Sequence, residues 1–413
     1  MANVSTATTN FNQTVVALVN KRLEELLRAP LPHLLPGNFR EASFVKGTNN
    51  TMRFINIPDM SVTTNNGTID MATPTAPWLK EGVAPTAEGL TLGYEEFSAG
   101  QAGRVVQLTD VSMLQSPFDM LSVAADRVAR NALATADAFV AAKLSSGAQV
   151  MYAGGASSRA TVPSNSALTG SLVKLAVARL KAAAVPTFSD GTYRAIVHPG
   201  STYDLESDTA VGGWIDAQRY AGSSALFTGE VGRYAGVRFI ESPAAATFAA
   251  VNGPALVNAG AAAIASTDVV TTSSAHGMVA GNRIKITSLT GGAGLTQGNT
   301  YYLVAPVTST TFKLSATLNG AAIDITSDST VFVANQVNDI LNAVVFGPEA
   351  YAFGDWGTIQ TYFTAPGGTT DPLHQLSQIG WKGYFGAVIM GEGANATNVT
   401  ASRYRRIEHT SQI

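Results

Sequence analysis

The chain contains no cysteine in its 413 residues, which excludes disulfides, thiolate metal sites and a cysteine nucleophile. Charge is also scarce. Asp, Glu, Lys and Arg make up 13% of the chain, about half the share in an ordinary soluble domain. Much of the surface must therefore be built from Ser, Thr, Asn and Gly, or be covered by other protein. A net charge of −3 leaves no electrostatic footprint for tight nucleic-acid binding. No run approaches the roughly 18–20 apolar residues of a membrane span. The opening stretch MANVSTATTNFNQTVV lacks the basic-then-apolar order of a signal peptide. These absences set the expectation of a soluble, intracellular protein with no membrane partner.

Catalytic motifs are missing too. The dipeptide Gly-Lys occurs nowhere, which removes a P-loop, and no G-x-S-x-G elbow offers a hydrolase serine. GGAGLTQGNT lies between strand-like segments without G-x-G-x-x-G spacing, so it reads as a hairpin loop. The five histidines (His33, His198, His276, His374 and His409) show no i, i+4 metal pair. His198, before Pro199-Gly200, reads as a polar residue fixing a turn, because a general base needs a positioned partner. His276, before Gly277, reads the same way. Glu95-Glu96 and Glu81/Glu88 lack the spacing of a calcium loop and read as solvated or intersubunit charges. The N-x-[ST] triplets starting at Asn3, Asn12, Asn49, Asn66, Asn395 and Asn398 read as chance. Arg403, Arg405 and Arg406, with Lys21, Arg22 and Arg28, make both ends locally basic, too few cations for strong phosphate binding. The residues thus give no catalytic site, no cofactor and no metal, and the expectation is a protein that is not an enzyme.

What the sequence does have is architecture. In Phe11–Leu27, Val15, Leu18, Val19, Leu23, Leu26 and Leu27 recur at helical spacing; Pro30, Pro32 and Pro36 then break the pattern. NTMRFINIP and TLGYEEFSAGQAGRVVQLTDVSM read as β segments flanking a long stretch with no apolar period. Such stretches are uncommon inside compact domains, and this one suggests an arm whose partners lie outside its own subunit. The strongest helix spans Pro117 to Leu144, with Ser116 as its cap and Gly147 as its end. Its stripe is Leu121, Ala125, Val128, Ala132, Ala136, Phe139/Val140 and Leu144. LTGSLVKLAVARLKAAAVP reads as a second helix and YRAIVHPGSTYDLESD as strand, turn and helix, giving a mixed α/β region. TIQTYFTAPGG and LHQLSQIGWKGYFGAVIM are strand-rich, and SRYRRIEHTSQI reads as a short basic tail.

Residues 252–337 form a β unit set into that region. Ile284 and Ile286, Tyr302 and Val304, and Phe312 and Leu314 alternate between glycine turns. The unit holds six charged residues in 86, against 49 in the other 327. Charge density halves across its borders, which supports a separate inserted domain.

This order of elements resembles the major capsid proteins of tailed bacteriophages, the Hong Kong ninety-seven fold. YRAIVHPGSTYDLESD, LFTGEVGRYAGVRFIES and NAVVFGPEAYAFG are similar to the coat proteins of N-four-like phages. The β unit, with His276-Gly277, Gly281, Gly298, Tyr301-Tyr302, Thr311-Phe312 and Leu314-Ser315, resembles a module recurring on phage head and tail proteins. The resemblance implies an α+β fold in five parts. These are an N-terminal arm (1–38), an extended β-hairpin loop (39–110), a spine helix with peripheral and axial core (111–251), an inserted all-β domain on the outer surface (252–337), and a return to the core with a C-terminal tail (338–413). It further implies a structural protein that self-assembles, as hexamers and pentamers, into an icosahedral head around double-stranded DNA. Scaffolding, portal and decoration proteins would be further partners, packaged DNA would be touched only non-specifically, and assembly would occur in the host cytoplasm. Two rivals stay open: another phage structural protein of the tail tube or tail surface, and a polysaccharide-binding surface protein.

Overall fold

One long helix lying across one sheet, and one long strand running through another, organise the computed structural model. It describes residues 31–35, 37–43, 51–56, 82, 93–117, 119–208, 232–256, 263–355, 359–367, 371, 373–391 and 402–411. The amphipathic segment Phe11–Leu27 and, Gly82 apart, the long stretch between the two early β segments lie outside the described residues.

In chain order the elements begin with β1 (Arg40–Ser43), β2 (Thr51–Asn56), β3 (Gly93–Ser98) and β4 (Gly100–Thr109). The helices α1 (Asp110–Gln115) and α2 (Met120–Ser145) follow, then β5 (Val150–Tyr152), α3 (Gly170–Ala182), β6 (Tyr193–Val197) and α4 (Pro199–Glu206). Next come β7 (Gly232–Tyr234), β8 (Val237–Glu241), β9 (Thr247–Leu256), β10 (Ala263–Ile264) and β11 (Val269–Thr271). Then β12 (Arg283–Gly291), β13 (Thr300–Val304), β14 (Thr311–Ser315) and β15 (Ser329–Phe346). The last are β16 (Tyr351–Asp355), β17 (Gln360–Thr364), β18 (Leu376–Ile389) and β19 (Tyr404–Thr410).

The long helix is α2, and it starts later than its sequence suggests. Ser116 and Pro117 do not begin it; Ser116 instead closes the separate short helix α1. Asp119 is the cap, its carboxylate accepting the Leu121 and Ser122 N–H groups at 3.2 and 3.4 Å. A carboxylate there satisfies two orphan donors and complements the helix dipole, which a serine at position 116 cannot reach. Ala125, Val128, Ala132, Ala136, Val140 and Leu144 are buried as the stripe requires, whereas Phe139 is partly exposed and packs edge-on against Phe385. Alanines on the buried face let α2 lie close on β4 and β18, where Leu108, Ile379, Trp381 and Phe385 meet it. Trp381 donates its indole N–H to Asn131 at 3.0 Å, which fixes the helix along the sheet.

That sheet has five strands, in the order β1-β16-β18-β17 with β4 on the other side of β18. Beside it β2 and β3 form an antiparallel pair, Phe54 stacking on Phe97 at 5.7 Å.

The second sheet has twelve strands. Its axis is β15, 18 residues long, about 60 Å at the usual strand rise. The first half of β15 pairs with β12 on one side and β9 on the other. The second half pairs with β19 and β6. Around the first half, β10 to β14 enclose a core of their own, including Ile284, Ile286, Leu303, Phe312 and Phe332. On β13 the alternation is shifted from the expected one: Tyr301 and Leu303 point inward with Val304, while Tyr302 is only half-buried. Around the second half, α3 packs on β6, β8 and β19 through Val173, Val177 and Leu180.

SRYRRIEHTSQI is not a tail. β19 lies inside the second sheet between β15 and β5. Its Glu408 is fully buried and receives Arg159 at 2.6 and 2.8 Å together with Arg406. Arg406 also donates to the Gly147 carbonyl at 2.6 Å. The basic residues at this end neutralise an internal carboxylate and close the end of α2.

Val128 is 2% exposed, so Val128→Asp places an unpaired carboxylate between α2 and the sheet. The expected cost is about 3 kcal/mol or more, a large part of a domain's total stability. Circular dichroism of the variant should show loss of the cooperative unfolding transition; a wild-type transition would contradict this packing.

Candidate functional site

Each histidine singled out in the sequence has a structural job. His198 caps α4, its Nδ1 accepting the Gly200 N–H at 3.1 Å. His276 accepts the Met278 N–H at 3.0 Å and lies edge-on to Phe312; burial lowers its pKa. His33 holds both carboxylate oxygens of Asp137 at 3.0 and 2.9 Å, one through its backbone N–H. This buried pair fastens the chain before β1 to the middle of α2. His374 has φ of 56° and its Nδ1 donates to the Pro366 carbonyl at 3.0 Å.

The acidic and basic residues follow suit. Glu96 makes an exposed ion pair with Arg53 at 2.6 Å. Glu95 corrects the expectation of a solvated or intersubunit charge: it is fully buried and accepts the Gly391 N–H at 2.9 Å. Strand alternation sends neighbours to opposite faces, so adjacent glutamates cannot share one environment. Arg403 pairs with Glu349 at 3.3 Å, and Arg405 donates to the carbonyls of Ser402 and Tyr404. Glu81, Glu88, Lys21, Arg22 and Arg28 lie outside the described residues.

One arrangement corresponds to no sequence motif. Ser201 Oγ lies 2.9 Å from His409 Nε2. His409 Nδ1 lies 2.9 Å from the Thr410 carbonyl, so Nδ1 carries the proton and Nε2 accepts from the serine. That is the geometry of a serine activated by histidine. Ser201 and His409 are nevertheless fully buried, and the pair joins α4 to β19 in the packed interior. The two residues are 208 positions apart, and no local pattern joins them. Among the described residues, no group of three or more His, Asp or Glu could hold a metal ion. No described helix is long and apolar enough to cross a membrane.

What the molecule offers is surface. One face of the five-stranded sheet is covered by α2, while the other holds an open trough of about 560 Å³ lined by residues of β4, β17 and β18. At the end of that sheet, Leu114, Leu373 and Val111 stand in solvent. Apolar groups displayed in this way mark sites of association.

Comparisons with known proteins bear on the fold. A family profile described as phage capsid protein matches residues 141–280. No curated protein sequence matches the chain. The capsid of Ralstonia phage GP4 is similar in structure with a TM-score of 0.52 at 11% identity, over 91% of this chain and 87% of that one. The cyanophage Pam1 capsid gives 0.52 at 13% identity, over 90% and 88%. The chain has a phage capsid fold. The similarity runs along about nine-tenths of both chains.

Buried His409 generates a pH dependence. Its burial pushes the pKa down to about 4, against 6.5 in the unfolded chain. Between these values the unfolded chain binds the extra proton, so stability is highest above pH 6.5 and falls as pH drops towards 4. The loss is about 3 kcal/mol. Urea midpoints of unassembled subunits at pH 7 and pH 4.5 should differ accordingly, and His409→Gln should flatten that difference. An equal pH dependence in both proteins would show that His409 is not its source.

Proposed function

We propose that this protein is the structural major capsid protein of a phage, whose copies associate into the shell of the head. The observation that carries this reading is the capsid fold extending over about nine-tenths of the chain, joined to a capsid family profile in the sequence. The protein's work is binding rather than catalysis. Each copy presents apolar and uncharged surface to its neighbours, worth about 25 cal/mol for each Å² buried, and many weak contacts add up to a stable lattice while misplaced copies can still leave. Scaffolding and portal proteins and packaged double-stranded DNA are its further partners, and assembly takes place in the host cytoplasm.

Within this reading residues 252–337 are an inserted module on the outer surface. Two observations support it. The strands from β10 to β14 have their own core, and Asn252 and Val337 are register partners across β9 and β15. An insertion whose ends already sit side by side costs little closure entropy. Residues 1–38 as an arm and residues 39–110 as an extended loop are the parts for neighbouring copies, except where the chain keeps them to itself: His33 on Asp137, β1 on β16 and β4 on β18.

Electron microscopy of the purified, assembled protein tests the function: closed shells are expected, whereas tubes or isolated particles would refute it. Replacing residues 253–336 with Asn-Gly, a two-residue hairpin turn, should leave folded protein that still forms shells. Insoluble protein without shells would count against a separate module. Removal of residues 1–27 should leave folded subunits that sediment as small species and close no shells.

A further inference from the structure

We infer that copies join head to tail, the apolar end of the five-stranded sheet in one copy docking into the trough on the open face of that sheet in the next. This rests on the capsid reading and names the contact that would build it.

The projecting part is held rigid before any partner arrives. Thr109 and Ser112 cap α1 reciprocally, at 3.2 Å each. The Asp110 N–H donates to the Gln375 carbonyl at 3.0 Å, tying α1 to the loop before β18. In that loop the Asp371 carboxylate accepts N–H groups from Gly367, Gln375 and Leu376 at 3.2, 2.9 and 2.8 Å. These hydrogen bonds hold its pKa below the usual carboxylate value, so the charge persists. On this fixed backbone Leu114 is 85% exposed, Leu373 76% and Val111 53%. A rigid backbone displaying three aliphatic side chains to water loses little entropy when it docks.

The receiving part is concave and equally fixed. Val105 and Tyr362 rise on either side of Gly380, which pairs with both strands. A Cβ at Gly103 would lie 2.7 Å from the Trp381 carbonyl oxygen, and one at Gly380 would lie 2.8 Å from that of Arg104. The absence of side chains at these two positions keeps the floor low. Val105 is 63% exposed and Tyr362 49%, so the walls are apolar and wet.

Charge decides what fits. The strands β4, β17 and β18 contain no Asp or Glu, and Lys382 lines the trough, whereas Arg104, the register partner of Trp381, sends its side chain to the face that α2 covers. A hydrogen bond with Tyr384 raises the pKa of Lys382 and keeps it cationic. Residues 109–117 and 119 reverse this pattern, with Asp110 and Asp119 and no Lys or Arg, while Asp371 is buried against the N–H groups of its own loop. An apolar, acidic projection and an apolar trough carrying Lys382 match in sign. Because they are different patches, the contact is heterologous, and repeating it closes a ring when the rotation permits.

The natural absence of cysteine makes the test clean. Chains carrying Val105→Cys are co-assembled with chains carrying Leu114→Cys and treated with a short bismaleimide. A covalent dimer is expected in mixed shells, lost when either variant assembles alone and lost in unassembled subunits. A second pair, Tyr362→Cys with Leu373→Cys, gives the same readout should the first pair misfold. Shells that form normally without either mixed dimer overturn the contact while leaving the capsid reading intact. Wild-type protein that forms no shells overturns that reading and the contact with it. A dimer of Val105→Cys with Ala76→Cys, in place of Leu114→Cys, would assign the trough to residues 57–92 of a neighbour and sink the proposal.

Discussion

A strand of 18 residues must find hydrogen-bond partners along both edges for its whole length, and most of this molecule is arranged to meet that demand on β15. Its first half is satisfied by β12 and β9, its second by β19 and β6. The change of partners midway divides the sheet into two regions with separate cores while a single backbone keeps them in register. Buried polar side chains close the junction: Gln336 accepts from Ser164 and donates to the His276 carbonyl, and Asn338 donates to the Val162 carbonyl. Each region thus keeps its own core on a shared strand.

The few charges are spent with similar economy. Glu408 with Arg159 and Arg406, and His33 with Asp137, sit in the interior, where removing one partner would strand a buried charge. They specify where β19 and the chain before β1 must lie. Surface charge is correspondingly thin, so association falls to apolar and hydrogen-bonding groups, with the sign of a few exposed residues selecting among possible contacts. In the proposed role of a shell protein, weak uncharged contacts backed by a packed fold are a sound physical solution.

Periodicity made much of the fold legible. The stripe from Ala125 to Leu144 placed α2, and alternation at Ile284, Ile286, Phe312 and Leu314 placed the inner faces of β12 and β14. His198-Pro199-Gly200 read correctly as a turn fixed by a polar residue, although the sequence did not say that His198 would cap α4. The misses have physical causes. The start of α2 turned on which of Ser116 and Asp119 could reach free N–H groups, and β13 shifted its inward set because Val304 follows Leu303 into the core. SRYRRIEHTSQI looked like a solvated tail because three arginines suggest water. Its carboxylate partner Glu408 lies in the same segment, but the second arginine, Arg159, is far away in sequence.

The sequence by itself determined element types, the break in composition at residues 252–337 and the absence of catalytic motifs, because these depend on local spacing and on which residues occur at all. Only the tertiary structure decided that Glu95 and Glu408 are buried, that Ser201 meets His409, and that β4, β17 and β18 form a trough free of acids. Those facts depend on which distant segments pair and which face of each strand is covered, and side-chain alternation along one strand cannot say which of its two faces will meet a helix.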